Sequence, residues 1–306
     1  MAQQQQFTYG GQAVIEGVMI RGRHVYSVAA RRPDGTICTE LNHVPVWGAG
    51  SWRKIPLLRG TLVLIETLVV GMKALTFSAQ IAAGEEGKEN DKPIPAWSLA
   101  LTIALSLGLG IGLFFVLPLV ITHSLVDRFV SNSVASNFTE GVLRLLIFIA
   151  YISLIGMMPS IRRVFAYHAA EHMAVHAHEH RLPLDTANVR KFPAAHPRCG
   201  TAFLLTVMLV SIVVFALLGT PALPLRIASR ILLIPLIAGV SYEVIRFNAR
   251  HEANALVRLL TLPSLAMQKL TTRPPDDQQI EVAIAAMNTA IEGDRSATAA
   301  APAPNP

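Results

Sequence analysis

Residues 97–122 read WSLALTIALSLGLGIGLFFVLPLVIT, a stretch without a single charged side chain. A helix needs about 20 apolar residues to cross the hydrocarbon core of a bilayer. Three further apolar stretches lie at about 141–158, 200–219 and 227–247. Trp97 stands at the start of the first stretch, where an aromatic anchor at the membrane interface is common. The sequence therefore predicts a mainly α-helical, polytopic membrane protein with about four transmembrane helices, arranged as two pairs.

The composition of the whole chain also favours lipid as its solvent. Of the 306 residues, 52% are hydrophobic and 15% are charged, whereas soluble domains have about 25% charged residues. The net charge is +6, but the basic residues collect in particular loops, which membrane orientation explains. The sequence has no stripe of Lys and Arg interleaved with aromatic residues, so the expected partner is the lipid bilayer and not a nucleic acid.

The distribution of Lys and Arg between the loops predicts the orientation. Basic residues are frequent before residue 97, in the loop 159–199 and after residue 247. In contrast, the loop 123–140 holds only Arg128, and the turn 220–226 holds only Arg226. Because basic loops stay in the cytoplasm, we expect both termini and residues 159–199 to be cytoplasmic in a bacterial inner membrane.

The first 56 residues are expected to form a small cytoplasmic part that contains β-structure. Val25–Arg31 and Thr36–Leu41 flank the sequence Arg-Pro-Asp-Gly at residues 32–35. Proline presets one backbone angle and glycine accepts positive φ, so these four residues predict the turn of a β-hairpin. Residues 10–19 are expected to supply another short strand.

Residues 57–82 are apolar but contain Arg59, Glu66 and Lys73. A charge at the centre of a bilayer costs about 2.5–3.5 kcal/mol on insertion scales. We therefore expect an amphipathic or re-entrant helix rather than a simple span, followed by a polar linker that ends near residue 96.

Residues 248–294 are expected to form cytoplasmic C-terminal helices. The last of these helices has four apolar residues at helical spacing, which predicts one buried face: Ile280, Ile284, Met287 and Ile291. The alanine- and proline-rich residues 295–306 are expected to be a disordered tail.

The densest group of chemically active residues is YHAAEHMAVHAHEH at residues 167–180. In a helix, His168, His172 and His176 recur every four residues and share one face. Two imidazoles at this spacing can bind one metal ion, and Glu171 then lies close enough to act as a general base. The segment also has the H-x-x-E-H letters of inverted zinc proteases. The alternative is a histidine-rich helix whose imidazoles face water or lipid phosphates.

Two residues that precede the third predicted span can extend this site. His196 and Cys199 lie three residues apart at a bend, where both can reach one metal ion. Cys199 can also be a nucleophile paired with His196, or a small apolar residue that begins the span. Arg198 is a candidate for binding an anion, although positive-inside topology also explains it.

Two more carboxylates are candidates. Glu243 is a possible remote metal ligand, and its alternative is an ion pair with Arg246 at i, i+3. Glu16 follows an apolar run and is a candidate for entering the site. The alternative for Glu16 is a strand residue that faces water.

Four blocks of this sequence together resemble the YqhQ family. They are GQAVIEGVMIRG at residues 11–22, YHAAEH at 167–172, HPRCGT at 196–201 and SYE at 241–243. The YqhQ family is a bacterial family of unknown function that was once labelled as predicted metal-dependent enzymes. The resemblance implies a multi-pass membrane protein and supports these blocks as the functional ones. The family usually has a lysine after the second histidine, where this chain has Met173.

These observations leave two main functions open. One is a metal-dependent hydrolase at the cytoplasmic face, with Glu171 as the catalytic base. The other is a membrane scaffold, assembly factor or sensor with a structural metal site. Histidine and cysteine ligands favour zinc over magnesium or calcium. A transporter is less favoured, because the predicted spans hold almost no ionisable residues.

Overall fold

The computed structural model describes residues 8–45, 55–84, 96–251 and 254–300. The N-terminal part is a four-stranded antiparallel sheet with the strand order β1-β2-β3-β4. Its strands are Gly10–Val14 (β1), Gly17–Arg21 (β2), Val25–Arg31 (β3) and Ile37–His43 (β4). The predicted hairpin is confirmed. At its turn Gly35 has a φ of 90° and donates its N–H to the carbonyl of Arg32, at 3.0 Å.

The remaining elements are helical. In chain order they are α1 (Leu58–Ala83), α2 (Ala96–Ile111), α3 (Leu117–Ile121), α4 (Ser133–Ile155), α5 (Pro159–Glu179), α6 (Thr186–Val189), α7 (Thr201–Leu218), α8 (Leu223–Leu232), α9 (Ile234–Arg250), α10 (Ala255–Thr271) and α11 (Asp277–Ala300). Two π-helical segments flank α3: Gly112–Val116 joins it to α2, and Thr122–Val126 follows it.

Four helices are long and apolar enough to cross a membrane, which agrees with the predicted fold class. Three of them correspond to predicted spans, namely Leu101–Val126, α4 and α7. The fourth is α1. The pair α8 and α9 would count as a fifth candidate if it formed one span. These properties are consistent with a multi-pass membrane protein.

The span predicted at residues 227–247 is not one straight helix. Helices α8 and α9 are bent by 46° at the break between them. Pro235 is the second residue of α9, where its missing N–H is tolerated and its ring prevents the helix from continuing back toward its N-terminus. In addition, Arg226 and Arg230 of α8 are buried inside the helical bundle, so α8 does not present an apolar surface on all sides.

The packing of helix α1 against the sheet explains part of its apolar sequence. Val70 and Ala74 pack against Val14, Tyr26 and Val28 on one face of the sheet. The C-terminal half of α1 therefore covers the sheet, whereas its N-terminal end approaches α9. Part of its apolar surface is buried by protein.

Helices α5 and α11 cover the opposite face of the sheet. Val18, Ile20 and Ala29 of the sheet form a common core with apolar residues of both helices, including Tyr167 and Met287. Because neighbouring strand residues point to opposite faces, this single sheet supports α1 on one side and the α5–α11 layer on the other.

Helix α11 has the predicted apolar face but ends later than expected. Ile280 and Met287 are buried, and Asp276 and Gln279 form a reciprocal capping box, since the backbone N–H of each donates to the other's side chain at 3.0 and 2.8 Å. The prediction of a disordered tail from residue 295 is wrong for residues 295–300, which are helical. Alanine has the strongest helix propensity, and this segment is rich in it. Residues 301–306 lie outside the described residues.

Candidate metal centre

Helix α5 carries the histidine run, and its sequence favours a helix at this place. Pro159 occupies the first turn, where its missing N–H costs nothing, and alanines are frequent along the helix. His168 and His172 lie on successive turns, with ring centroids 4.3 Å apart. His172 is 2% exposed, so its imidazole is held in the protein interior.

Backbone carbonyls fix the tautomer of both rings. The Nδ1 atom of His172 lies 2.6 Å from the carbonyl oxygen of Ala194, and Nδ1 of His168 lies 2.9 Å from the carbonyl oxygen of Thr271. A carbonyl can only accept a hydrogen bond, so Nδ1 is the donor in both residues. The neutral rings therefore carry their lone pairs on Nε2, which is the arrangement that second-sphere carbonyls impose on metal-binding histidines.

Cys199 completes a group of three possible ligands. Its sulfur lies 3.2 Å from Nε2 of His168. Each of the three residues offers one ligand atom, and the three atoms lie within 4.8 Å of one another: they belong to His168, His172 and Cys199. The Nε2 atom of His172 is buried, and among the described residues it has no hydrogen-bond partner. A buried polar atom without a partner is unfavourable, and a metal ion is one group that would satisfy it.

Glu171 lies beside this group and is almost fully buried. Its Oε2 is 3.6 Å from Nε2 of His172, and the residue is 3% exposed. Burial raises the pKa of Glu171, and the neighbouring His168 and His196, together with a backbone hydrogen bond from Gly11, oppose this shift only in part. A Cβ atom at Gly11 would lie 3.1 Å from Cγ of Glu171, so strand β1 forms the wall behind this carboxyl group.

A second group lies one turn further along α5. It consists of His176, Glu179 and His196, again with ligand atoms within 4.8 Å of one another. Nδ1 of His196 accepts the backbone N–H of Arg198 at 3.2 Å, and its Nε2 lies 3.3 Å from Oε2 of Glu179. Both nitrogens of His196 are therefore hydrogen-bonded within the protein, and the contact with Glu179 joins the segment before α7 to α5.

The pKa shifts of this second group follow from the same contacts. Burial alone would raise the pKa of Glu179, but the hydrogen bond from His196 and the neighbouring Arg198 lower it below its ordinary value. Burial lowers the pKa of His176, whose Nε2 lies 3.0 Å from the carbonyl oxygen of Ala195. Glu179 was not predicted as a site residue, although it stands in the histidine run.

Two predicted candidates lie elsewhere. Glu243 binds Arg59 of α1 through both carboxylate oxygens, and the Nε–Oε1 distance is 2.7 Å. Glu16 occupies the turn between β1 and β2 with a φ of 48°, and it accepts hydrogen bonds from Arg163 and from the hydroxyl of Tyr167. Each carboxylate is thus engaged in joining two elements of the fold.

Arg198 lies at the edge of the second group. Its Nη1 donates to Oε1 of Glu179 at 3.0 Å and to the hydroxyl of Thr8 at 3.1 Å. These contacts link the segment before α7 to α5 and to the N-terminal residues.

The sequence interpretation missed the residues that position the ligands. Gln268 of α10 is fully buried. It accepts the backbone N–H of His196 at 2.8 Å and donates to the carbonyl of His196 at 2.9 Å. This amide therefore fixes the segment that carries Ala194 and Cys199. The only signal for it in the sequence is a glutamine inside a largely apolar helix that also carries Arg258 and Lys269, and this does not reveal its partner.

Comparisons with known proteins identify the family of this chain. The family model described as "Protein of unknown function (DUF1385)" matches residues 55–293. The uncharacterized protein YqhQ of Bacillus subtilis (strain 168) is 36% identical over 292 residues, which cover 92% of this chain and 91% of that protein. No solved structure matches the chain significantly. The resemblance to the YqhQ family is therefore confirmed, and the chain belongs to the DUF1385 family of proteins of unknown function.

Proposed function

We propose that this chain is an integral membrane protein of a bacterial cytoplasmic membrane, with both termini and the histidine cluster on the cytoplasmic side. The helices that are long and apolar enough to span a membrane support this proposal. The basic loops support the orientation, because such loops stay in the cytoplasm. The sheet, α5 and α11 share one core, which also favours N- and C-terminal parts on the same side.

The same proposal assigns a divalent metal ion, zinc, to His168, His172 and Cys199. The observation that carries it is the buried Nε2 of His172, which has no hydrogen-bond partner among the described residues, in a residue whose ligand atom lies within 4.8 Å of those of His168 and Cys199. Two imidazole nitrogens and one thiolate form a donor set that suits zinc and that hard cations such as Mg²⁺ and Ca²⁺ avoid. His176 and His196 then support the ligands.

The reaction class that this site fits best is hydrolysis. A zinc ion with an open coordination position supplies Lewis acidity and lowers the pKa of water toward about 7. Glu171 would accept the proton from the attacking water and return it to the leaving group. Its raised pKa suits this role, because a general base works best when its pKa lies near the working pH.

The metal content of the purified full-length protein tests the site. We expect about one zinc per chain in the wild type, and less than a tenth of that in His168→Ala and His172→Ala. His180→Ala is the matched control, because this exposed histidine belongs to the same run but to neither ligand group. Wild-type protein without zinc after supplementation, or equal losses in all three variants, would contradict the proposal.

A structural zinc site is the second candidate function, and burial favours it. His172 and Glu171 are 2% and 3% exposed, and Glu171 as fourth ligand would close the coordination shell, as in structural sites. Glu171→Gln separates the two functions. A general base predicts unchanged zinc affinity and about 100-fold slower hydrolysis of 4-nitrophenyl acetate by the zinc-loaded protein. A fourth ligand predicts weaker zinc binding and no hydrolysis by the wild type.

A further inference from the structure

A second cluster of charged residues lies inside the helical bundle, away from the histidines. The carboxylate of Glu140 in α4 accepts hydrogen bonds from Arg144, Arg226 and Arg230, with distances of 2.6, 3.1 and 2.7 Å. All four residues are at most 1% exposed. Ionisable residues at such positions are rare and often mark a functional site.

The charges of this cluster do not balance. Asp127 also binds Arg226, with 2.6 Å between Oδ2 and Nη1. The three guanidinium groups carry +3 and the two carboxylates carry −2, which leaves a net charge of +1. A buried charge without a counter-charge is strongly unfavourable, so the cluster would be stabilised by one additional anion.

A cavity of about 290 Å³ reaches this cluster at one end of the bundle. Arg226 lines it, and the Nε–H of Arg226 is buried without a hydrogen-bond partner in the described part of the chain. The other polar groups on its wall are mostly hydroxyls, from Ser131, Ser133, Ser136 and Thr220. Ser136 donates its hydroxyl proton to Asp127 at 2.5 Å, whereas the hydroxyls of Ser131, Ser133 and Thr220 can donate hydrogen bonds to an oxyanion.

Two helices begin at this cavity and add to its positive potential. Ser133, the first residue of α4, and Leu223, the first residue of α8, both line it. The start of α4 is capped by the side chain of Asn132, whereas α8 has no side-chain cap. The N–H groups and the dipole at a helix N-terminus attract anions, phosphate in particular.

This cavity and the histidine cluster lie at opposite ends of α7. Cys199 lies two residues before α7, whereas the carbonyl of Gly219, directly after α7, accepts a hydrogen bond from Asn137 next to the arginine cluster. An 18-residue helix is about 27 Å long, close to the thickness of the hydrocarbon core of a bilayer. The arginine cluster is therefore separate from the proposed metal site.

We infer that this cavity is a binding site for one phosphate group, which Arg226 and the surrounding hydroxyls hold and whose charge balances the arginine cluster. The phosphate can belong to a soluble ion or ester, or to the headgroup of an anionic lipid at this end of the bundle. The site requires neither a metal ion nor the proposed hydrolase.

Titration calorimetry tests the soluble source. It measures the binding of inorganic phosphate to the full-length protein in detergent at constant ionic strength. Native mass spectrometry after exchange into phosphatidylglycerol-containing micelles tests the lipid source. We expect saturable binding of one phosphate or one retained lipid per chain, and either result supports the inference. We further expect Arg226→Gln to weaken the binding of phosphate or lipid at least tenfold.

The controls separate this site from general attraction of anions. Arg128→Gln removes the same charge from the same end of the bundle, but Arg128 is exposed and does not line the cavity, so binding should change less than twofold. Asp127→Asn should tighten binding several-fold, because it removes a negative charge from the wall. This variant also tests the inference if Arg226→Gln fails to fold. Absence of both ligands from the wild type, equal weakening by Arg128→Gln and Arg226→Gln, or no tightening by Asp127→Asn would overturn the inference.

Discussion

The Nδ1 atom of His172 donates a hydrogen bond to the carbonyl oxygen of Ala194 at 2.6 Å. This contact joins helix α5 to the segment that leads into α7. It leaves the lone pair of the neutral ring on the buried Nε2 atom. His168 makes the same type of contact with Thr271. The ligand atoms are therefore oriented by the backbone before any metal ion binds, which is the preorganisation that a tight site requires.

Glycine at position 11 is required by close packing around Glu171. A Cβ atom there would lie 2.1 Å from the carbonyl oxygen of Met19 and 3.1 Å from Cγ of Glu171. We expect Gly11→Ala to destabilise the protein by about 1–3 kcal/mol. Gly10→Ala is the control, because nothing lies within 4 Å of a Cβ at that position. Thermal unfolding of the two variants in detergent measures the difference, and equal midpoints would contradict the packing argument.

Gln268 should support both stability and metal binding. In Gln268→Leu the buried N–H and C=O of His196 lose their partners, and each buried unpaired group costs about 1–3 kcal/mol. We also expect zinc affinity to fall about 10–100-fold, since the supported segment carries Cys199. Gln278→Leu, an exposed position in the first turn of α11, should change stability by less than about 0.5 kcal/mol. Zinc titration and chemical unfolding test this pair. An unchanged zinc affinity in Gln268→Leu would argue against a supporting role.

The ion pair between Glu16 and Arg163 should make stability depend on pH. The hydrogen bond from Arg163 is the largest cause that lowers the pKa of Glu16 below its ordinary value of 4.5. A lowered folded-state pKa contributes stability above the unfolded-state pKa, and this contribution is lost as the pH falls through the folded-state pKa.

We therefore expect Glu16→Gln to lower the free energy of unfolding at pH 7, by no more than about 1 kcal/mol for a partly exposed pair. The difference from the wild type should vanish as the pH falls below 4.5 toward the lowered pKa. Chemical unfolding of the wild type and of Glu16→Gln from pH 7 to pH 3 measures this difference in free energy. A difference that stays constant at low pH would show that the charge of Glu16 is not its cause.

Glu140 should be the most sensitive carboxylate of the helical bundle. Glu140→Gln leaves three buried guanidinium groups without their common counter-charge, and breaking a buried ion pair costs about 3–5 kcal/mol. Glu281→Gln removes the same charge from an exposed pair with Arg31 and should cost less than about 1 kcal/mol. Unfolding of both variants in detergent makes the comparison, and similar small losses would show that Glu140 does not hold the cluster together.

Local patterns were sufficient to predict much of the fold. The Arg-Pro-Asp-Gly turn fixed the hairpin of β3 and β4, because its residue types suit one backbone geometry. The four-residue spacing placed His168 and His172 on one face of α5, where the structure has them. The apolar stretches at 97–122, 141–158 and 200–219 correspond to helices of the structure.

The charged cluster was not predicted, because its pairing depends on tertiary structure. Helix α4 begins at Ser133, eight residues before the predicted span. The prediction begins later because the first two turns of the helix are polar and their sequence favours a loop. Three polar residues of these turns are buried and accept hydrogen bonds from arginines of α8 across the bundle, namely Ser136, Asn137 and Glu140. Glu243 and Arg59 are likewise 184 positions apart. No helical or strand periodicity relates residues at such distances.

X-ray absorption at the zinc edge of the zinc-loaded, full-length protein tests the proposed metal site most directly. We predict one sulfur scatterer per zinc at about 2.3 Å together with imidazole nitrogens at 2.0–2.1 Å. The chain has two cysteines, so the sulfur should disappear in Cys199→Ser and remain in Cys38→Ser, whose residue lies on strand β4. A zinc shell without sulfur in the wild type, or a sulfur that persists in Cys199→Ser, would contradict the assignment of His168, His172 and Cys199 as the metal ligands.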